Sequence, residues 1–386
     1  MKPLQFMLIA GEASGDTLGG ELIAALKQDR RAAGAKFFGA GGPRMQEAGM
    51  ELILDFTRDA VFGMEAWTRL FEFRRRFNEL LQLALERKPD AIVCVDFAGF
   101  NRRFAHAVRE RVRSGETTGW NPKIIQYVSP QVWASRPRRA DLMARDIDLL
   151  LAIFPFEKAW YARRTPQLRV EFVGHPMVDR YAGFQRRQTY AADAPRIVFL
   201  PGSRPSELKR HLPVMTEVLR QIRAAVPRAE AVMVLPERLA EKARELGLPE
   251  NSMVRPSLAE ELAQADLAIA KSGTVTLECA YFRVPTVVLY KMSALTHAIA
   301  SRIVQVKWAA MPNILANEEV CPEFIQTKAT PENLARAGLE LLRDVTRRNT
   351  VKAKLDAIAS SLGEPGAARR AAEHILNLLG PPPAAS

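Results

Sequence analysis

The sequence has few cysteines and histidines and no long apolar run. Its three cysteines, Cys94, Cys279 and Cys321, lie far apart and form no CxxC pair, which argues against a disulfide framework or a zinc cage. The five histidines include no pair at metal-ligand spacing. No apolar run reaches about 18 residues, the length that a membrane-spanning helix needs. The apolar stretch at the N-terminus is too short for a signal peptide, so we expect a protein of the reducing cytoplasm.

Positive charge is in excess. The 386 residues include 55 Lys and Arg against 43 Asp and Glu, a formal net charge of +12. Such an excess fits a nucleic acid, an anionic membrane surface or a strongly anionic substrate, and charge alone does not decide among them. No nucleic-acid-binding module is visible, which disfavours the first of the three.

Two segments of the chain begin with the same pattern of an apolar run, a glycine-containing turn and a helical period. The first run covers residues 6–10 and the second residues 197–200. Other short apolar runs alternate with helical patterns, at residues 91–95, 124–128, 149–153, 231–235, 267–270 and 286–290. This alternation predicts an α/β fold with two tandem Rossmann-like domains and a cleft between the carboxyl ends of the two sheets.

The expected domain boundaries follow from breaks in these patterns. A polar stretch near residues 184–196 separates a first domain at residues 1–185 from a second at 186–362. The segment 363–386 contains one more helix, which we expect to cross back to the first domain, and a proline-rich flexible tail.

A phosphate-binding turn is predicted at Gly202-Ser203-Arg204, with Glu207 following. The turn lies between an apolar run and a helix, where backbone N–H groups favour a phosphate. The Arg204 guanidinium adds a planar fork that suits phosphate oxygens. The alternative is a plain turn with a surface arginine.

A second turn, Ser272-Gly273-Thr274, follows the run at 267–270. Gly273 lets a ligand approach the backbone, and Ser272 is a plausible helix cap. Glu278 lies one turn beyond Thr274, so its carboxylate can reach back and accept hydrogen bonds from a ribose diol. The two turns together predict a nucleoside diphosphate in the second domain, against the alternative of a capped structural helix with a solvated glutamate.

Two features of the first domain could serve an acceptor. Asp96 directly follows the run 91–95, at a strand end where catalytic bases often lie, although it could equally cap the next helix. The loop 11–16 lacks the GxGxxG pattern, and its Glu12 and Asp16 would repel a pyrophosphate, which disfavours a dinucleotide site. A sugar or acceptor pocket is the more plausible use of this loop, and a structural turn is the alternative.

Aromatic residues and arginines are interleaved over residues 61–77. This composition favours a helix that lies on a membrane surface. A helix packed within its own domain and a dimer contact are the alternatives.

Taken in order, the motifs resemble those of the lipid-A-disaccharide synthases, glycosyltransferases with two Rossmann-like domains (GT-B type). The resemblance covers nearly the whole chain. The matching segments are residues 11–16, 127–130, 132–134, 154–157, 173–175, 200–204 with 207, 272–274, 277–278 and 311–313.

The resemblance implies transfer of 2,3-diacylglucosamine from UDP to the 6-hydroxyl of 2,3-diacylglucosamine 1-phosphate, giving a β-1′,6-linked disaccharide 1-phosphate and UDP. It implies that no metal or other cofactor is needed. It also implies peripheral association with the inner face of an anionic inner membrane. The oligomeric state stays open between a monomer and a homodimer. A soluble UDP-sugar enzyme, such as a UDP-N-acetylglucosamine 2-epimerase or a muramyl-type transferase, is the alternative; a non-enzymatic surface-binding protein is a third.

The resemblance also implies residue roles. Asp96 would be the base, with Asn101 beside it in a motif where Ala98 replaces the usual proline. Donor-binding residues would be Gly202, Ser203, Arg204, Glu207, Ser272, Gly273, Thr274, Glu278 and Asn313. The acceptor pocket would include Glu12, Ser14 and Gly15. The membrane-facing residues would be Phe62, Met64, Trp67, Arg69, Leu70, Phe71 and Arg74.

Overall fold

The computed structural model divides into two compact units. It describes residues 3–57, 66–184, 194–248, 253–293 and 302–380, with the backbone alone for 66–71 and 253. One unit comprises Met1–Asp179 with Glu364–Ser386, and the other comprises Arg180–Gly363. The first boundary thus lies six residues before the expected position, because Tyr181 packs its ring against Tyr281 and Phe282 of the second unit.

The described strands of the first unit form a parallel seven-stranded sheet in the order β3-β2-β1-β4-β5-β6-β7. The strands are β1 Gln5–Ala10, β2 Lys36–Gly41, β3 Glu51–Asp55, β4 Ala91–Val95, β5 Lys123–Tyr127, β6 Leu149–Ala152 and β7 Arg169–Phe172. The helices are α1 Ala13–Gln28, α2 Pro43–Glu47, α3 Ala66–Arg87, α4 Ala98–Arg113, α5 Val132–Ser135, α6 Arg139–Asp146, α7 Pro155–Arg164 and α8 Met177–Tyr181, of which the last two residues belong to the second unit.

The described strands of the second unit form a parallel six-stranded sheet in the order β10-β9-β8-β11-β12-β13. The strands are β8 Arg196–Leu200, β9 Glu230–Val234, β10 Met253–Arg255, β11 Leu267–Lys271, β12 Thr286–Tyr290 and β13 Glu323–Ile325. The helices are α9 Pro205–Ala225, α10 Ala240–Glu245, α11 Leu258–Gln264, α12 Val275–Tyr281, α13 Met311–Ala316, α14 Pro331–Arg343, α15 Val345–Ser361 and α16 Ala367–Leu379, the last of which belongs to the first unit.

Two parallel sheets, each with helices between its strands, confirm the prediction of two Rossmann-like domains. The central strands are buried on both faces, as continuous apolar sequences require in such sheets. All five residues of β4 are buried, and Leu8 of β1 pairs in register with Val93 of β4.

The final helix is tied to the first unit by specific hydrogen bonds. The Asp179 carboxylate accepts a hydrogen bond from the N–H of Ala367, 3.0 Å away, at the start of α16. Arg370 donates from Nε to the carbonyl of Val173 at 2.7 Å. Buried apolar side chains, Ile375 and Leu376 among them, complete the attachment.

The order of the strands shows where a ligand is expected in each unit. Strand order reverses between β1 and β4 in the first sheet and between β8 and β11 in the second. Ligands of open parallel sheets bind beyond the carboxyl ends of strands at such a reversal. The segments that follow these four strands begin at Gly11, Asp96, Pro201 and Ser272. Across the described residues, the structure has no helix that is both long and apolar enough to span a membrane.

Candidate active site

Asp96 lies in a strained loop at the carboxyl end of β4. Asp96 has a φ of 48° and Phe97 a φ of 44°, both left-handed, which costs non-glycine residues about 1–2 kcal/mol each. The Asp96 N–H donates to the carbonyl of Tyr127 at 2.8 Å. Its own carbonyl accepts hydrogen bonds from Gln126 Nε2 at 3.1 Å and Asn101 Nδ2 at 2.9 Å. These contacts hold the loop against its strain.

Asn101 is placed as a positioning residue. Its side chain is fully buried. Besides the carbonyl of Asp96, its amide nitrogen lies 3.3 Å from the carbonyls of Ile9 and Val95. The amide therefore joins the ends of β1 and β4 to the Asp96 loop. Because the side chain is buried there, it positions the loop and does not face a substrate.

The Asp96 carboxyl has a raised pKa. Burial is the main cause, the charge of Glu12 adds to it, and a hydrogen bond from the Phe97 N–H opposes both. A carboxylate with a raised pKa holds a proton more readily near neutral pH, as a general base must.

The loop after β1 supplies the expected acceptor residues in different environments. Glu12 and Ser14 are exposed, whereas Gly15 is buried beneath them. Asp16 is a structural residue, because its carboxylate caps α2 by accepting from the N–H groups of Arg44 and Met45, both at 3.0 Å.

A pocket of about 470 Å³ lies at the reversal between β8 and β11 in the second unit. Five of the predicted donor-binding residues line it, namely Gly202, Ser203, Gly273, Thr274 and Glu278. Apolar residues, including Leu235, Pro236 and Leu258, form the rest of the wall together with Lys271. A mainly apolar wall with a few polar groups is typical of a small-molecule site.

Glu207 organises the Gly202 turn. Its carboxylate accepts from the Ser203 N–H at 3.0 Å and pairs with Lys271 at 3.1 Å. Burial alone would raise its pKa, but the hydrogen bond and charge of Lys271 leave the pKa lowered, so the group stays ionised. Gly202 has a φ of 118°, and a Cβ there would lie 2.4 Å from Glu207 Oε2. The position therefore requires glycine.

His211 was missed by the sequence analysis. It is fully buried on α9 beneath the Gly202 turn. Its Nδ1 lies 2.8 Å from the carbonyl of Pro201, and its Nε2 lies 3.2 Å from the N–H of Lys291. Burial lowers its pKa, so a neutral ring donates from Nδ1 and accepts at Nε2. The one sequence signal was a histidine beside Leu208 and Leu212 in the apolar stripe of the helix.

Glu278 presents a carboxylate to the pocket. Tyr181 donates a hydrogen bond from its hydroxyl to Glu278 Oε1 at 2.6 Å. Burial raises the pKa of Glu278, and the Tyr181 hydrogen bond and the charge of Arg180 oppose that shift. The partly buried carboxylate retains acceptor capacity for a ligand hydroxyl.

Four predicted donor-binding residues, Arg204, Glu207, Ser272 and Asn313, do not line this pocket. Arg204 is exposed at the start of α9. Ser272 is buried and donates to the carbonyl of Ala309 at 2.8 Å.

Asn313 does not line this pocket, and its side-chain amide is bonded within the protein. Its Nδ2 donates to the Cys321 carbonyl and to Glu323, and its Oδ1 accepts from the N–H groups of Val320 and Cys321. All four hydrogen-bonding positions of a fully buried amide are thus occupied within the protein.

Most of the predicted membrane-facing residues fall outside the described part of the structure. Phe62 and Met64 are among the residues not described, and Trp67, Arg69, Leu70 and Phe71 are described only as backbone of α3. Arg74 is exposed on α3. Phe73 and Phe77 of the same helix pack edge-on against Phe100, with ring centroids 5.1 and 5.4 Å apart.

Metal-ligating residues do not converge within the described segments. No group of three His, Cys, Asp or Glu side chains is arranged there to hold a metal ion.

A family model described as lipid-A-disaccharide synthetase matches residues 6–376. A lipid-A-disaccharide synthase of Rhodospirillum centenum is 36% identical, covering 98% of this chain and 96% of the relative. One of Trichlorobacter lovleyi is 34% identical, covering 98% of both chains.

Solved structures with much lower sequence identity share the fold. A UDP-GlcNAc 2-epimerase from Neisseria meningitidis, bound to UDP-GlcNAc, matches with a TM-score of 0.60 at 11% identity, covering 97% of this chain and 100% of that one. The calicheamicin glycosyltransferase CalG4 matches with a TM-score of 0.61 at 18% identity, covering 98% of this chain and 99% of that one.

Proposed function

The chain belongs to the lipid-A-disaccharide synthase family, and from this premise we propose how its residues carry out the transfer. The enzyme is a glycosyltransferase that makes the lipid A disaccharide. The donor is UDP-2,3-diacylglucosamine and the acceptor is 2,3-diacylglucosamine 1-phosphate. Members of the fold that are epimerases share only the architecture with this chain, and the family match favours disaccharide synthesis over the soluble alternatives.

The donor binds in the pocket of the second unit. The turn that Glu207 and His211 hold in place offers backbone N–H groups to the pyrophosphate. Glu278 accepts hydrogen bonds from the ribose hydroxyls, with Tyr181 fixing the orientation of its carboxylate. Arg204 is exposed at the N-terminus of α9, and its guanidinium turns toward the phosphates when the donor is bound.

Asp96 is the base of the reaction. It takes the proton of the acceptor's 6-hydroxyl while that oxygen attacks the anomeric carbon of the donor. The bond from that carbon to the β-phosphate oxygen breaks, its electron pair leaves with UDP, and the configuration inverts. The raised pKa of Asp96 supports this role, because a carboxylate with a higher pKa is a stronger base and holds the transferred proton more firmly.

Charge that develops on departing UDP is stabilised by protein groups. The Arg204 guanidinium and the backbone N–H groups of the two turns meet the phosphate oxygens. The ion pair between Lys271 and Glu207 maintains the conformation of the Gly202 turn. In this mechanism the enzyme needs neither a metal nor another cofactor.

Membrane association is also part of the proposal. Both substrates carry acyl chains, so the enzyme works where those chains are anchored. The segment 61–77 and the net charge of +12 support peripheral binding to an anionic cytoplasmic membrane surface. The assembly is a monomer or a homodimer.

The geometry of Asp96 carries the proposal, and its replacement tests it. Asp96→Asn keeps the shape of the side chain but cannot accept the proton. We expect disaccharide formation, followed by mass spectrometry with EDTA present, to fall by roughly 10²–10⁴-fold. The affinity for UDP, measured by calorimetry, should stay unchanged.

Asp141→Asn is the matched control, because Asp141 is exposed on α6 and pairs with Arg164. Full turnover by Asp96→Asn would contradict the base assignment. Wild-type protein that binds UDP but makes no disaccharide would contradict the reaction, and UDP-N-acetylglucosamine would then be the next substrate to try.

A further inference from the structure

The side of α4 that faces α6 is strongly basic, and one end of it is neutralised. His106 Nδ1 lies 3.1 Å from Asp146 Oδ2. Arg109 forms an ion pair with Asp148 and donates from Nε to the carbonyl of Asp146 at 3.1 Å. Arg113, one turn further along, pairs with Asp146 as well. The second half of α4 therefore has carboxylate partners for its cations.

The other end of this helix pair has no such partners. Arg102 and Arg103 are on the first turns of α4, Arg139 is the first residue of α6, and Arg136 lies three residues before α6; the charges of the other three act on Arg139. Within the residues that the structure describes, no carboxylate pairs with any of these four. Arg139 is half-buried, and its pKa is lowered by burial and then by the charges of Arg136, Arg102 and Arg103.

Four guanidinium groups that repel one another raise the free energy of the unliganded protein. Like charges held together at a protein surface repel one another, and salt screens this repulsion only in part. An anion placed among them would relieve that repulsion. A guanidinium offers two parallel N–H donors to phosphate oxygens. Arginine clusters therefore bind phosphate groups in preference to neutral ligands.

The cluster lies on the ligand side of the first sheet. Arg102 and Arg103 are on the helix that begins directly after Asp96, and Arg136 and Arg139 follow the neighbouring strand β5. The helical rise from Ala98 to Arg102 is about 6 Å. In the acceptor sugar the 6-hydroxymethyl group is on C5 and the phosphate on C1, the two carbons that flank the ring oxygen, so a phosphate site about one helical turn from Asp96 along α4 suits an acceptor whose 6-hydroxyl contacts Asp96.

We propose that Arg102, Arg103, Arg136 and Arg139 form a binding site for the phosphate monoester of the acceptor. The inference rests on the proposed function, which supplies an acceptor with such a group. The donor's phosphates are assigned to the second unit, so they do not compete for this site. A phospholipid headgroup offers the same phosphate chemistry, and the experiment separates these two sources.

The test compares two acceptors in detergent micelles, 2,3-diacylglucosamine 1-phosphate and the same sugar without the phosphate. The double variant R102Q/R139Q removes the two half-buried guanidinium groups, and R136Q removes an exposed one. R163Q, exposed on α7 and outside the cluster, is the control. We expect KM for the phosphorylated acceptor to rise at least about tenfold in R102Q/R139Q, equivalent to 1.4 kcal/mol, with kcat nearly unchanged. R136Q should show a smaller rise, and R163Q none.

The dephosphorylated acceptor provides the decisive comparison. Wild type and R102Q/R139Q should use it equally poorly, because the group that the arginines bind is missing. An equal loss on both acceptors would show a structural effect and overturn the proposal.

Sedimentation with vesicles of phosphatidylcholine, with and without phosphatidylglycerol, tests the other source of phosphate. If R102Q/R139Q loses binding to anionic vesicles while KM in detergent is unchanged, the arginines bind headgroups and the acceptor site is wrong. Wild-type protein that makes no disaccharide from either acceptor contradicts the proposed function itself, a result seen before any variant is compared.

Discussion

The side-chain amide of Asn101 donates a hydrogen bond to the main-chain carbonyl of Asp96 at 2.9 Å. The same amide nitrogen is within 3.3 Å of the carbonyls at the ends of β1 and β4. Because Asp96 has a left-handed backbone, its loop needs such restraint to keep the carboxyl in place. The orientation of the proposed base thus depends on a residue that does not touch the substrate.

Replacing Asn101 with alanine should separate positioning from chemistry. Three carbonyls lose a buried donor, so we expect the free energy of unfolding to fall by about 1–3 kcal/mol. A displaced base should lower kcat on the order of 100-fold, while UDP affinity stays unchanged. Denaturant unfolding, steady-state kinetics and calorimetry measure the three quantities.

Val108→Ala is the matched control for stability. Val108 is fully buried on the same helix, and its truncation costs a similar free energy without touching the Asp96 loop. Equal kcat in the two variants would show that lost stability, and not a displaced base, explains the effect of Asn101→Ala.

The charge of Glu12 should be visible in the pH profile of the enzyme. A neighbouring carboxylate disfavours the ionised form of Asp96 and so contributes to its raised pKa. Activity requires ionised Asp96, so kcat/KM should fall as pH falls through that pKa. In Glu12→Gln the repulsion is gone, the pKa of Asp96 is lower, and the acid limb of kcat/KM should move to lower pH.

Glu47→Gln serves as the control for this shift, because Glu47 is exposed on α2 beside Arg44. Its acid limb should coincide with that of wild type. An acid limb that stays in place in Glu12→Gln would mean that Asp96 does not control this limb or that Glu12 does not act on it.

The central strands could be predicted because their sequences are continuously apolar. The run 286–290 coincides with β12, and the run 91–95 with β4. Strand β2 was missed because Gly39 and Gly41 interrupt its pattern. Gly39 is needed there, since a Cβ would lie 2.1 Å from the carbonyl oxygen of Leu8 in the neighbouring strand. Close approach between backbones leaves no periodic signal in a sequence.

The sequence indicated which turns carry the candidate site, but not which side chains contact one another there. Turns that follow apolar runs indicated Asp96 and the Gly202 turn. The partner of Glu278 could not be found this way, because Tyr181 is 97 residues away in the chain. The partners of Asn313 are only 8 and 10 residues away, but no pattern in the sequence shows that Cys321 and Glu323 occupy its hydrogen-bonding positions once the chain has folded.

Stability should depend on the protonation of Glu157. This fully buried carboxyl accepts hydrogen bonds from Trp133 Nε1 at 3.0 Å and from the Phe154 N–H at 3.1 Å. Burial raises its pKa from 4.5 to about 7. Between these two values the folded state binds more protons than the unfolded state, so stability falls as pH rises through this window.

Glu157→Gln removes that dependence, because glutamine does not titrate. Relative to the variant, wild type should lose about 2–3 kcal/mol of unfolding free energy between pH 5 and pH 8. Denaturant unfolding at the two pH values gives the change in unfolding free energy for each protein. This change is compared, and not the free energy at one pH, because glutamine cannot accept both hydrogen bonds and the variant is therefore less stable for a second reason. Glu110→Gln, exposed on α4, should parallel wild type. Parallel behaviour of Glu157→Gln would mean that Glu157 titrates normally.

Recognition of the ribose by Glu278 can be tested with two ligands. Hydrogen bonds to a charged group contribute about 1.5–3 kcal/mol, so wild type should bind UDP roughly tenfold or more tightly than 2′,3′-dideoxy-UDP. Glu278→Ala should bind the two ligands almost equally. Tyr181→Phe removes only the hydroxyl that donates to Glu278 Oε1, so it should keep the preference while lowering both affinities slightly. Calorimetry gives the ratio of the two Kd values for each protein. A ratio in Glu278→Ala equal to that of wild type would place the ribose elsewhere in the pocket.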